Sequence, residues 1–322
     1  MSTIVALAGD TMLGRSVAER LANAPARSLV HPEVVETLEE ADLFVLNLEC
    51  CISDRGRPWP DPAKPFFFRA PPAAVDLLQH IGVDCVTLAN NHALDFGEEG
   101  LLDTFDHLSS AGIAWVGAGP DLGRSRRPAV LATGAGFRLA VLGMTDHPKD
   151  FAAGPDRPGV ALADLRNELP TWLPAAVSSA GRAADAVLVT PHWGPNMTAE
   201  PVPHVRAAAG ALLRAGATLV AGHSAHVFHG VQGPVLFDLG DFLDDYAVDP
   251  ALRNDLGLLF LVTLEERRPT RVEAVPLALD FCFTRMANEE EAFWIGRRFM
   301  EACRAMGTEV RRESGRLVVG TA

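Results

Sequence analysis

The stretch TIVALAGD, Thr3–Asp10, is apolar from Ile4 to Ala8 with none of the polar alternation of a half-exposed strand, and it stops at a glycine and an aspartate. A short apolar run bounded in this way reads as a strand buried on both faces. The pattern recurs in ADLFVLNLEC (41–50), DCVTLANNH (84–92), RLAVLGMTD (138–146), ADAVLVTPHWG (184–194) and ATLVAGH (217–223). Between the runs lie helical candidates at Pro72–His80, Gly97–Ala111, Leu162–Ala180 and Pro203–Ala215. Strand alternating with helix predicts an α/β architecture with parallel strands.

These runs end in polar residues: Asp10; Asn47 and Glu49; Asn90, Asn91 and His92; Asp146 and His147; His192; His223 and His226. In open α/β sheets the carboxyl ends of the strands form the ligand crevice. Segments far apart in sequence therefore aim carboxylates, amides and imidazoles at one place. A lone strand-end histidine is ordinarily a solvated or hydrogen-bonded loop residue, but core packing does not explain six strands ending alike. GHSAHVFHG (222–230) concentrates three imidazoles, the side chain that titrates near neutrality and often binds metal. His223 and His226 are expected at the crevice, and His229 in a structural role.

Composition limits the partners. The formal charge of -13 repels a nucleic-acid backbone and an anionic membrane, leaving a small-molecule or peptide substrate. The opening MSTIVALAGD has no basic start, and no window approaches the ~20 apolar residues of a spanning helix, so a cytoplasmic location is expected. Cys50, Cys51, Cys85, Cys282 and Cys303 are odd in number and irregularly spaced, which predicts reduced thiols. At 48% hydrophobic residues the chain can bury a large core. One domain over 1–322 is expected, with a core at 4–265 and a completion at 266–322: a strand near RVEAVPLAL, a helix at Glu289–Ala305 and a strand at RLVVG. Asp54–Pro72 reads either as a substrate-facing flap or as an excursion packing Phe66, Phe67 and Phe68 into the core.

GDTMLGR (9–15), LNLEC (46–50), FRAPP (68–72), LANNHALDFGEEGLLDTFDHLSSAGIAWVGAG (88–119), PHWG (191–194), GHSAHVFHGV (222–231) and DLGDF (238–242) resemble, in that order, the bacterial CapA family of poly-γ-glutamate capsule synthesis proteins. That family is similar in fold to the calcineurin-like metallophosphoesterases. The resemblance spans Ile4 to Phe242 and is most specific over 88–119. It implies a four-layer αββα sandwich of two mixed β-sheets flanked by helices, with a two-metal centre at the strand ends. It places Asp10 on one metal, Glu49 as the bridging acid, Asn91 as an amide ligand beside His92, and His192, His223 and His226 as the later ligands. Such a donor set suits up to two ions of Mn, Fe or Zn.

Three positions depart from the phosphoesterase pattern. Met12 stands where an Asp-x-His motif has its histidine, Glu49 replaces an aspartate, and His223 and His226 are one residue further apart than in Gly-His-x-His. The acidic run after DLGDF, with Asp241, Asp244, Asp245 and Asp255, reads as a solvated loop.

Two enzymatic readings stay open, beside a non-catalytic binding protein on the same fold. The first is a metal-assisted hydrolase or transferase acting on an amide or peptide bond of glutamyl type, or on a phosphoester, with His92 as general acid. The second needs no metal: Asp10 with His226, and Glu49 with His92, form acid-base pairs on opposite faces of an α-carbon, as in an epimerase or isomerase. Asn47 is counted with the substrate-binding residues. Lys64 and Arg69 either hold a carboxylate or phosphate or lie on the surface, and Trp193 covers an apolar substrate group or packs.

Overall fold

The computed structural model describes residues 2–320. Ser2–Thr11 lies inside a ten-stranded mixed sheet. On one side it pairs in parallel with Leu43–Leu48, followed by Cys85–Thr87 and Ala114–Val116. On the other it pairs antiparallel with Leu256–Glu265, beyond which come Arg268–Asp280, Arg316–Gly320 and Arg311–Glu313. A second, six-stranded sheet places Arg138–Thr145, Ala186–His192, Leu219–Ala221 and Val235–Leu236 in parallel, with antiparallel strands Ala129–Ala132 and Val231–Gln232 at its edges.

The period of two along each strand explains the missing polar alternation. Val5, Leu7, Leu43 and Val45 point into one core with Leu139, Val141, Ala186, Leu188 and Leu219 of the other sheet. The intervening Ala6, Ala8, Phe44 and Leu46 meet Val17, Leu77 and Leu101 of the outer helices. On the far side Leu142, Val187, Val189 and Val220 meet Leu173, Val177, Val205 and Leu212. Three apolar interfaces between four layers, helices, sheet, sheet and helices, leave both faces of each central strand dry. Each fully buried Val or Leu contributes about 1.5–3 kcal/mol relative to exposure.

Helices occupy Ala74–His80, Gly97–Ser110 and Pro203–Arg214, close to the expected bounds. The tail helix runs Glu289–Ala305, closed at its start by a capping box between Asn288 and Glu291, and sends Ile295, Phe299 and Cys303 into the inter-sheet core. One expectation is corrected: the helix anticipated over Leu162–Ala180 begins only at Trp172 and runs to Ala183. Pro170 resists helix at the residue before it, and residues 162–169 instead run irregularly, burying Ala163 and Leu165. The Asp54–Pro72 segment does both of the things open to it, since Phe68 is buried while Phe66 stays exposed. Among the described residues no helix is long and apolar enough to cross a membrane.

Candidate active site

The site starts from a kink in the first strand. Ala8 pairs with Leu46 but Asp10 pairs with Asn47, so the strand carries a bulge at Gly9, a device that re-aims side chains at sheet ends. Only glycine fits there, because a Cβ would sit 1.8 Å from Gly240 O. Asp10 is fully buried. Asn47 donates to its Oδ1 at 2.6 Å, and Asn90 donates to Asn47 Oδ1 at 3.0 Å and to Leu48 O at 2.8 Å. The amides of two neighbouring strands thus fix the carboxylate's orientation. Asn47 is spent on Asp10 and does not line the cavity, which corrects its expected substrate role.

The second sheet delivers the imidazoles. His192 ends Ala186–His192, and His223 forms a bridge beside it. Their Nδ1 atoms are 2.8 Å apart, and Thr190 Oγ1 lies 3.0 Å from His223 Nε2, so Nδ1 is the His223 nitrogen facing Asp10 Oδ1 at 3.7 Å. The longer His-Ser-Ala-His spacing is absorbed by positive φ at Ser224 (121°) and His226 (59°). His226 Nδ1 thereby reaches Asp10 Oδ2 at 3.2 Å and Asp241 Oδ1 at 2.8 Å.

Two groups able to hold a metal ion share Asp10: Asp10, His192 and His223, and Asp10, His226 and Asp241, each with one ligand atom per residue all within 4.8 Å. Around them Glu49 Oε1, Asn91 Oδ1, His192 Nε2 and Asp241 Oδ2 are buried without a hydrogen-bond partner. Leaving a buried acceptor unpaired costs about 1–3 kcal/mol, and here the unpaired atoms are carboxylate and amide oxygens and an imidazole nitrogen. This set fits a divalent ion of the Mn, Fe or Zn kind.

Electrostatics point the same way. Burial pushes the Glu49 carboxyl well above its usual range, with the Asp10 charge adding to the effect. Burial also raises Asp241, more than His226 can lower it. Burial opposes ionisation of Asp10, but the hydrogen bond and charge of His226 win and hold its pKa down. His226 is likewise held well above an ordinary histidine, because Asp241, Glu49 and Asp10 outweigh its burial. Burial brings His223 down to about 4, and takes His192 well below its ordinary value. One imidazolium thus stands against three acids, two of which burial pushes toward their neutral forms, and a cation bound there would favour the ionised forms.

Several expectations are corrected. Glu49 does not pair with His92. His92 opens the turn before Gly97–Ser110, so Asp95, three residues on, is the acid within reach: His92 Nδ1 donates to Asp95 Oδ2 at 2.6 Å, while Glu49 Oε2 accepts from Tyr246 at 3.0 Å. Lys64 serves that pair, with Nζ 2.9 Å from Asp95 Oδ1 and 2.8 Å from Asn91 O. Arg69 donates to Arg55 O and lies over the Phe96 ring, and Trp193 is buried with Nε1 on Phe237 O at 2.9 Å; neither lines the cavity. The acidic run is no solvated loop: Asp241, Asp244 and Asp245 are buried, because Asp241–Leu243 pairs in parallel with the first strand and sets Asp241 against Asp10. Only Asp255, half-buried on Arg253 at 2.7 Å, stays near the surface. Met12 is buried, its Sδ accepting from Gly14 N at 3.0 Å.

A cavity of about 650 Å³ opens above the cluster. His92, His226 and Tyr246 line it, with Phe68 stacked on His92 at 4.0 Å between ring centroids and Tyr246 edge-on to His226 at 5.1 Å. Asp95, Tyr246 and Asp241 are the members that sequence reasoning missed. The i, i+3 spacing of His92 and Asp95, and the presence of one tyrosine in the whole chain, were the available signals.

The sequence profile described as "Bacterial capsule synthesis protein PGA_cap" matches residues 4–246. The "Probable polyglutamine synthesis accessory protein" of Mycobacterium tuberculosis is 32% identical over 297 residues, covering 86% of this chain and 77% of that one. The "PGA biosynthesis protein CapA" of Bacillus subtilis is 30% identical over 242 residues, covering 74% and 62%. The "Capsule biosynthesis protein CapA" of Bacillus anthracis is 30% identical over 249 residues, covering 74% and 59%. The chain therefore spans less than two thirds of the length of the two Bacillus proteins.

Proposed function

Because the chain belongs to the bacterial capsule synthesis protein family PGA_cap, we propose that it works in capsule-related or similar peptide biosynthesis as a metal-assisted hydrolase or transferase acting on an amide bond. The observation that carries this reading is the pair of ligand groups sharing Asp10, ringed by buried acceptor atoms without partners. Asp10, His192 and His223 would hold one ion, and Asp10, His226 and Asp241 a second, with Glu49 and Asn91 supplying further oxygens. When bound, such ions supply a Lewis acid and a water of lowered pKa. A neutral amide suits the cavity better than a phosphoester dianion, because Arg15, the one Lys or Arg lining it among the described residues, is already paired with Asp245.

The chain's own residues manage the proton. His92 donates Nδ1–H to Asp95, which Lys64 holds in place, so Nε2 is the ring nitrogen left for substrate. Burial brings the His92 pKa down to about 4, against the pull of Asp95. At neutral pH it is therefore a proton acceptor first, taking a proton from the attacking nucleophile and returning it to the leaving nitrogen.

A second reading is favoured by one observation: His92 and His226, each on its own carboxylate, line the same cavity. Without metal, one imidazole would remove an α-proton and the other return it, as in an epimerase. His226 Nδ1 serves a proton in this reading and an ion in the first, so the two uses exclude each other. The test incubates chelated and Mn²⁺- or Zn²⁺-loaded protein with blocked peptides in heavy water. Metal-dependent amide cleavage, lost in His92→Ala, is the expected result. Deuterium entering uncleaved peptide irrespective of chelation would replace this reading by the second.

A further inference from the structure

We infer that the substrate group seated over the imidazoles is a bulky uncharged apolar side chain, so that the substrate class is an apolar peptide segment and not a polyanionic γ-glutamyl chain. This rests on the amide reading above and narrows it. Phe66, Phe281 and Met197 come from three distant segments, and they are 54%, 60% and 38% exposed, yet all three line the cavity that holds His92 and His226. Large apolar side chains held open to water around a concave site are a wall awaiting an apolar occupant. The cavity volume of about 650 Å³ suits a peptide segment of a few residues.

The charges in the cavity argue against an anionic occupant. Among the described residues Arg15 is the only Lys or Arg lining it. Asp245 engages this guanidinium through both carboxylate oxygens and its backbone oxygen, and Asp245 Oδ2 also accepts from Ser16 N at 2.9 Å. That pair is built into the backbone and is not free to trade partners. The guanidinium is further boxed by the rings of Phe66, Phe68 and Tyr246 at 5.7, 5.3 and 5.6 Å. A γ-glutamyl chain brings one carboxylate per residue, and each would enter beside Asp245 with no unpaired Lys or Arg among the described residues lining the cavity to receive it, against a net charge of -13.

The test measures binding to the full chain, chelated and Mn²⁺-loaded, by calorimetry. The probes are acetyl-Ala-Xaa-Ala-amide peptides with Xaa as Phe, Leu or Glu, and a γ-glutamyl tetramer. Phe and Leu peptides are expected to bind at least about tenfold more tightly than the Glu peptide and the tetramer. Phe281→Ser, at an exposed position, should weaken the Phe peptide by about fivefold or more while leaving the Glu peptide and the thermal midpoint unchanged. Tighter binding of the tetramer, an unaffected Phe peptide in Phe281→Ser, or no binding by any probe at millimolar concentration would each overturn the inference. Apolar preference without metal-dependent cleavage would sink the hydrolase reading alone, and metal-dependent cleavage of the tetramer would sink the apolar preference alone.

Discussion

Tyr246 is the one tyrosine in the chain, and its hydroxyl is the partner of Glu49 Oε2. Glu49 is buried and Tyr246 half-buried, and the neighbouring Glu49 Oε1 has no partner. Tyr246→Phe therefore strips the last hydrogen bond from a buried carboxyl and should cost about 1–3 kcal/mol, read as a lower urea midpoint with an unchanged slope. A midpoint equal to wild type would mean that Glu49 finds another donor. Asp10, His192, His223 and His226 were legible in the sequence because each follows an apolar run and so must stand at a strand end. Asp241 was not. Its place depends on a three-residue strand, Asp241–Leu243, lying alongside the first strand, and so short a run inside an acidic segment carries no periodicity of its own. Asp95 was hidden for a different reason: Glu49 is another acid expected at the same crevice, and only the turn before Gly97–Ser110 sets Asp95 on His92.

At the scale of elements, the loop Gly194–Glu200 carries Asn196 and Met197 to the cavity and is tied down from below. Met197 N donates to Ala225 O at 3.0 Å, and His229 Nε2–H donates to Thr198 O at 2.7 Å. Burial brings the His229 pKa down to about 4, against about 6.5 in an unfolded chain. The folded state thus prefers this imidazole neutral. Its contribution to stability is full above the unfolded pKa and is lost as pH falls from about 6.5 toward 4. His229→Gln should accordingly cost about 1 kcal/mol or more at pH 7, and the gap between variant and wild type should narrow steadily on acidification. A gap independent of pH would show that His229 does not titrate with folding. Elements buried on both faces were readable because nothing but a strand satisfies an unbroken apolar run that short. The start of the Trp172–Ala183 helix was not, because Ala163 and Leu165 carry apolar spacing into a segment that Pro170 separates from the helix.

At the scale of the whole molecule, two sheets face each other across one apolar core, and the ligands come from both: Asp10, Glu49 and Asp241 from the ten-stranded sheet and its ends, His192 and His223 from the six-stranded one. Apolar patterning alone predicts strands with helices between them but not their division into two sheets, since a central strand is dry on both faces in either arrangement. The four-layer order came from the family motifs. An ion held between the sheets binds the folded state and not the unfolded chain, so it adds about 2.7 kcal/mol of stability at a hundred times its dissociation constant. The decisive measurement is metal stoichiometry by mass spectrometry on protein purified without chelator, followed by calorimetric titration of the chelated protein with Mn²⁺ and Zn²⁺. One to two equivalents of Mn, Fe or Zn, a raised thermal midpoint on loading, and loss of both in Asp10→Asn are the predicted result. Protein that carries no metal, takes up none and melts unchanged would contradict a metal centre at Asp10 and leave the imidazole pair His92 and His226 to do the chemistry alone.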